Sequence, residues 1–197
     1  MVTEQKRRCA WAENVCPLYQ AYHDGEWGVP VHDDGKLYEM FLLETFQAGL
    51  SWLTILRKRE AFRAAFDGFD VEKVAAYDER KIAALLADPG IIRCRRKIEG
   101  AVKNAGIFLA IQREYGSFDA YLRSFAGEKP ILHAGGAVPV TTALSDAVSK
   151  DLKARGMAYV GSVTIYSYLQ AVGVVNDHET DCFCRNERIR ATKIPPG

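Results

Sequence analysis

Apolar and polar positions follow a helical period along most of this chain, and one stretch departs from it. From Met40 to Leu56, within Tyr38–Leu56 (YEMFLLETFQAGLSWLTIL), every position but one is apolar or neutral; the single ionisable side chain is Glu44. On a helix, Met40, Phe41, Leu43 and Ala48 all lie within one turn of it. An unpaired carboxylate so placed is costly or has its pKa driven up, so either another group of the fold meets it or a ligand does. Gln47 to Trp52 then predict a corner: Gly49 ends one helix and Ser51 caps the next. That corner presents the apolar Leu50 and sets Trp52 near Glu44. An acid, an apolar tip and a large aromatic at one bend suit a flat ligand with polar edges. The alternative is a core helix in which a backbone amide satisfies Glu44.

The remaining pattern is helical too. Pro17 fits a first helical position, and the helix it opens places Tyr19, Tyr22 and His23 on one face before Glu26-Trp27-Gly28-Val29-Pro30 ends it. The central helix runs from Lys36 to about Ala48. Its successor runs from Ser51 to Phe66, with Arg57-Lys58-Arg59-Glu60 as a solvated face. Asp70 caps a short helix to Ala76, and Asp78 caps another that turns Ile82, Leu85 and Leu86 to one side. Pro89-Gly90 makes a hairpin in which Gly90 supplies a permissive backbone, followed by a helix from about Cys94 to Tyr115. Ser117 caps a helix to Phe125, residues 127–141 form a loop, and Ser145 opens a helix stopped by Gly156. Residues 159–175 contain enough Val, Thr and Ile for a strand. Ser162 as a cap, Gly173 as a stop and the shared face of Ile165, Tyr168 and Leu169 favour a helix. The fold expected is all-α.

Composition narrows the chemistry. A chain of 197 residues makes one domain with a substantial core. A net charge of +1 excludes a uniformly basic nucleic-acid binder but not a local patch. One such patch is Arg93, Arg95, Arg96 and Lys97, at the hairpin and the start of the next helix. The helix dipole disfavours cations there, and a bound phosphate would relieve them; a merely solvated cluster is the alternative. The start lacks a signal peptide and no apolar run reaches the roughly 20 residues of a membrane span, so the expectation is a cytoplasmic protein away from membranes. Five cysteines in that compartment are thiols or metal ligands. His178 and Cys182, spaced i, i+4, meet on a helical turn, and Cys9 and His23 offer a second pair. Together they would satisfy a tetrahedral zinc site. Cys16 and Cys184 are rival ligands, and ordinary hydrogen-bonding histidines are the alternative.

Several stretches together resemble one family, the DNA-3-methyladenine glycosylases of the constitutive bacterial type, within the helix-hairpin-helix glycosylase superfamily. They are Cys9-Ala-Trp11, Tyr19-Gln-Ala-Tyr-His-Asp-Gly-Glu-Trp-Gly-Val-Pro30, Leu42-Leu-Glu-Thr-Phe-Gln-Ala-Gly-Leu-Ser-Trp52, Pro89-Gly-Ile-Ile-Arg93 with Lys97-Ile98, and Ala171-Val-Gly-Val-Val-Asn-Asp-His178 with Cys182. The resemblance implies a monofunctional repair enzyme that hydrolyses the N-glycosidic bond of alkylated adenine in double-stranded DNA. It implies that Glu44 hydrogen-bonds the excised base, that Tyr22 and Trp52 form the base pocket with Tyr19 beside them, and that the Gly49-Leu50 corner probes the base stack. It further implies that Gly90, Ile91, Arg93 and Lys97 meet the DNA backbone, and that Cys9, His23, His178 and Cys182 hold one structural zinc per chain.

The implied organisation is a single, monomeric glycosylase domain over residues 1–197. Its helix-hairpin-helix part spans about 33–145, and a zinc-stabilised part is formed by about 1–32 with 146–190. Two departures stand out: Ile92 occupies the place of the usual second hairpin glycine, and no catalytic Asp follows the hairpin. Asp119 is the nearest candidate, and a helix-cap role suits it better. Lys97 begins a helix and is not placed as a Schiff-base nucleophile, so no lyase step is expected. A zinc-stabilised DNA-binding module without catalysis is the alternative function. A zinc hydrolase would need an open coordination position and a nearby general base, whereas two Cys and two His fill the tetrahedron. The stretch after Cys184 carries no motif.

Overall fold

The computed structural model describes residues 6–133 and 135–185; the tail beyond Arg185, in which the sequence shows no motif, lies outside them. Nine α-helices follow one another among the described residues: α1 (Pro17–Gly25), α2 (Asp34–Gln47), α3 (Trp52–Ala65), α4 (Val71–Ala75), α5 (Glu79–Ala87), α6 (Arg95–Tyr115), α7 (Phe118–Ala126), α8 (Ala143–Ala154) and α9 (Ser162–Ala171). The fold is all-α. Helix α2 is its axis, with every residue from Leu37 to Phe46 buried, and α3, α6, α7 and α9 pack around it. A helix with apolar residues on nearly every side finds no favourable place at a surface, which is why α2 sits at the centre. Aromatic rings fill the space on both flanks. Phe46 packs on Phe62 and Phe66 of the α3 region, while Phe41 meets Phe108, Phe118 and Tyr168.

Capping chemistry sets the boundaries. Asp33, Ser51, Asp70, Asp78 and Ser117 each accept an amide in the first turn of the following helix. Helix α2 therefore starts at Asp34 rather than Lys36. At α8, Thr142 is the cap and Ser145 its reciprocal partner in a capping box. Ser162 does not cap α9; Gly161 occupies that position, and the Ser162 hydroxyl bonds that of Ser145 instead. Within the 127–141 segment, Ile131–Leu132 (β1) pairs in parallel with Val175–Asn176 (β2), because the chain leaving α9 offers a free edge beside it. Gly49 adopts a φ of 81° at the predicted corner. Gly90 is not left-handed, which corrects the backbone argument for it. A Cβ there would sit 2.9 Å from that of Ala61 on α3, so closeness of approach is what requires glycine.

The expected solvated face on α3 is the clearest correction. Arg59 is nearly buried and bridges Glu26 and Glu39. Lys58 donates to the carbonyls of Pro89 and Gly90 at 3.1 and 3.0 Å, tying α3 to the hairpin. Among the described residues, no helix is long and apolar enough to cross a membrane.

Candidate active site

The C-terminal turn of α2, the start of α3, and α1 and α9 enclose a cavity of about 280 Å³. Glu44 lines it together with Tyr19, Tyr22 and Trp52, so four residues singled out from sequence converge on one space. Leu50 stands outside that cavity, 38 % exposed at the corner. The Tyr22 and Trp52 rings lie 5.4 Å apart at 53°. Two buried polar atoms here have no partner among the described residues: the Glu44 Oε2 acceptor and the Trp52 Nε1 donor. A native interior rarely strands such groups, and an adjoining cavity shared by one stranded acceptor and one stranded donor is a place for a ligand presenting the complementary edge. Burial pushes the Glu44 carboxyl up from 4.5 to about 8. Burial, then the nearby Glu44, raises the pKa of Tyr19 as well as Tyr22.

Sequence reasoning did not place Trp11, Trp27, Gln47, Val138, Ser167 or Gln170 at this cavity, yet all of them line it. Ser167 and Gln170 carry a legible signal, being polar positions three apart in the second half of α9, where their neighbours are aromatic and aliphatic. Val138 arrives from a loop whose path no local pattern reveals. Asp119 is not among the lining residues; it lies in the first turn of α7, capped by Ser117, and bonds His32 and Arg123.

The hairpin between α5 and α6 forms a separate region. The Gly90 amide bonds the Asp88 carboxylate at 2.7 Å. The amides of Ile91, Ile92 and Arg93 bond no acceptor among the described residues, leaving three donors beside the N-terminus of α6. Ile91 is buried in the core, while Arg93 is exposed. Arg95 is engaged by Glu79 and Glu99. Lys97 turns inward, with Nζ donating to the carbonyls of Phe46 and Ala48 at 2.7 and 2.6 Å.

Cys9, His23, His178 and Cys182 form one buried cluster whose ligand atoms all lie within 4.8 Å of one another. Sγ of Cys9 and Nδ1 of His178 are 3.5 Å apart, as are Sγ of Cys182 and both Nε2 of His23 and Nδ1 of His178. Zinc–sulfur and zinc–nitrogen bonds at a tetrahedral angle place such atoms about 3.5 Å apart. Both remaining imidazole nitrogens find acceptors, His23 Nδ1 at Asp24 (2.9 Å) and His178 Nε2 at the Trp27 carbonyl (3.1 Å), as ligating histidines require. The Glu179 amide donates to the Cys9 sulfur. His178 and Cys182 meet across a turn at Thr180–Asp181 rather than on a helix. Cys184 approaches the opposite nitrogen of His23 at 3.9 Å, and Cys16 precedes α1. The cluster adjoins the cavity: Trp27 packs edge-on against His178 with centroids 4.6 Å apart, and against Trp11 at 5.0 Å.

Known proteins resemble this chain in sequence and in fold. A profile for methyladenine glycosylase matches residues 11–185. DNA-3-methyladenine glycosylase 1 of Escherichia coli is 46 % identical over 180 residues, covering 90 % of this chain and 96 % of that protein. The Haemophilus influenzae DNA-3-methyladenine glycosylase is 42 % identical over 181 residues, covering 90 % and 97 %. A solved variant of 3-methyladenine DNA glycosylase I in complex with 3-methyladenine superimposes with a TM-score of 0.86 at 37 % identity, covering 90 % of this chain and 97 % of that one. With the profile spanning the cavity and three of the four cluster residues (His23, His178 and Cys182), and a relative 46 % identical over 90 % of the chain, this chain belongs to the methyladenine glycosylase family.

Proposed function

We propose that this protein excises 3-methyladenine from double-stranded DNA by hydrolysing its N-glycosidic bond, without a lyase step. The observation that carries this reading is the stranded Glu44 carboxyl facing a cavity walled by aromatic rings. A base inside a duplex is out of reach, so the nucleotide is flipped out at a cost of a few kcal/mol. The methylated base carries a positive charge in DNA, and the electron-rich rings of Trp52 and Tyr22 favour a cation by about 0.5–2 kcal/mol. Entry of that cation favours the ionised form of Glu44, whose proton passes to solvent, and the resulting carboxylate accepts a charge-assisted hydrogen bond from the base edge. Water attacks the sugar carbon as the carbon–nitrogen bond breaks. The bond's electron pair neutralises the base, and the proton of the attacking water passes to solvent. A leaving group already charged needs little further help, which fits a cavity lined by no Asp among the described residues.

In this reading the free amides of Ile91 to Arg93 and the Arg93 side chain grip a DNA phosphate, with Gly90 allowing the hairpin to sit against α3. Leu50 probes the stack opposite the flipped base. Lys97 acts from within, holding the end of α2, and its engaged ammonium suits no Schiff-base role. Zinc fits the four-residue cluster by donor chemistry and spacing. With all four positions taken by protein, it supplies a structural tie between the chain ends (about 1–32 and 146–190) and leaves the helix-hairpin-helix part (about 33–145) to grip DNA.

Incubating the zinc-loaded protein with alkylated duplex DNA and separating the released bases by chromatography tests the reading. Release of 3-methyladenine is expected. A folded, zinc-loaded sample that releases nothing would leave a DNA-binding module without catalysis. Stripping the metal with a chelator is expected to remove activity and helical circular dichroism together; activity lost reversibly from a still-folded protein would instead point to a catalytic metal.

A further inference from the structure

Glu44 is not the sole acceptor available at the cavity. Helix α9 passes its wall, presenting Gln170. The Gln170 amide nitrogen donates to Asp177 Oδ2 at 2.6 Å, and the Tyr166 hydroxyl donates to the same oxygen at 2.6 Å. Asp177 is buried. A carboxylate oxygen receiving two hydrogen bonds offers no proton back, so the Gln170 amide cannot be reversed. One N–H of its nitrogen is held by Asp177, and its carbonyl oxygen, which accepts nothing from the described residues, is left as an acceptor on the residue that lines the cavity. The glycine-rich turn after α1 and the metal cluster hold this assembly from behind. The Gly28 amide donates to the Gln170 backbone carbonyl at 3.0 Å, and Asp177 immediately precedes the ligand His178.

We propose that the side-chain carbonyl of Gln170 sets the preference for a 6-amino over a 6-oxo purine, with Asp177 as the positioning residue that fixes its orientation. The inference rests on the glycosylase reading of the cavity and names what that reading leaves open, the discrimination between 3-methyladenine and 3-methylguanine. An exocyclic amino group carries two N–H donors, and Glu44 and Gln170 supply two acceptors. A 6-oxo purine places an oxygen where that amino group would be, so lone pairs oppose lone pairs. A site built to receive a donor rejects an analogue lacking it.

The test is calorimetric titration of the zinc-loaded protein with free 3-methyladenine and free 3-methylguanine. The wild type binds 3-methyladenine more tightly. Gln170→Leu is expected to narrow the ratio of the two dissociation constants by about five- to tenfold. Asp177→Asn permits the Gln170 amide to turn over and present N–H to the cavity, so it is expected to tighten 3-methylguanine while weakening 3-methyladenine. A merely structural role would weaken both bases alike. Equal losses, or a wild-type ratio in Gln170→Leu, overturn the proposal. Should Asp177→Asn lose metal, Gln170→Leu decides alone, since Gln170 is not a ligand. A wild type that binds neither base indicts the glycosylase reading instead, a different result from an unchanged ratio.

Discussion

Two buried carboxylates five residues apart on α2 have opposite circumstances. Glu39 receives Arg59 at 2.7 Å, Arg63 at 2.6 Å and Lys36 at 3.3 Å. Burial acts to raise its pKa, but the Arg59 hydrogen bond and the charges of Arg59, Lys36 and Arg63 together outweigh that and lower it. Glu44 is as deeply buried, with 4 % exposure against 2 %, meets no cation, and is pushed up to about 8. Burial is shared; what differs is whether the fold supplies the counter-charge. At Glu39 it does and the carboxylate serves stability. At Glu44 the site is left for a cation from outside, at a cost to the empty protein.

The comparison breaks hardest at Glu39. Glu39→Gln leaves Arg59 and Arg63 facing a neutral amide in a buried setting, and a loss of about 3 kcal/mol is expected, near the lower end for a broken buried pair because Glu26 still holds Arg59. Urea denaturation measures it. Base excision by the fraction that remains folded is expected near wild type, and a loss of excision without a loss of stability would erase the distinction drawn between the two acids.

Glu44→Gln should act in the reverse sense on both quantities. Removing a charge-assisted hydrogen bond lowers excision and 3-methyladenine affinity together by about 10- to 100-fold; lost turnover with unchanged base affinity would assign Glu44 to water activation instead. Stability should rise, in a pH-dependent way. Between 4.5 and about 8 the folded protein holds a proton on Glu44 that the unfolded chain has released, so wild-type stability falls as pH rises through that window. The melting-temperature gap between Glu44→Gln and wild type is therefore near zero below pH 4.5, widens through neutrality and levels off above about 8. A gap that narrows with rising pH would contradict the uncompensated burial of Glu44.

Of these two acids, the sequence exposed Glu44 and hid Glu39. Glu44 is visible because its solitude is local: every neighbouring helical position is uncharged and most are apolar. The partners that define Glu39 come from 20 and 24 residues away on α3, and the charge run containing Arg59 looks like solvated surface until α3 folds back across the α2 corner. That corner was legible, since Gly49 and Ser51 act through their own backbone and neighbours. The metal cluster was legible in composition only. Spacing could not choose Cys9 over Cys16 or Cys182 over Cys184, and His178 and Cys182 meet through a turn that i, i+4 spacing does not imply. The orientation of Gln170 was hidden for the reason the partners of Glu39 were: it is fixed by Asp177, beyond the end of its own helix.

The two ends of α2 also differ in what holds them, and this gives the mildest test. Asp33 caps the Glu39 end from within the same helix turn. The Glu44 end is held by Lys97 across the fold, its ammonium meeting the carbonyls of Phe46 and Ala48, groups that a helix terminus cannot satisfy internally. Lys97→Met is expected to cost about 1–2 kcal/mol of stability and to slow excision from duplex DNA more than it weakens free-base binding. The Gly49-Leu50 corner follows the lost tie directly, while Glu44 sits further back in the helix. Salt dependence separates this role from phosphate contact. Each lost phosphate contact lowers the slope of log affinity against log salt by about 1. Arg93→Met should lower that slope for duplex binding, whereas Lys97→Met should leave it unchanged. A fall in slope for Lys97→Met would return Lys97 to the DNA backbone and leave the corner without its tie.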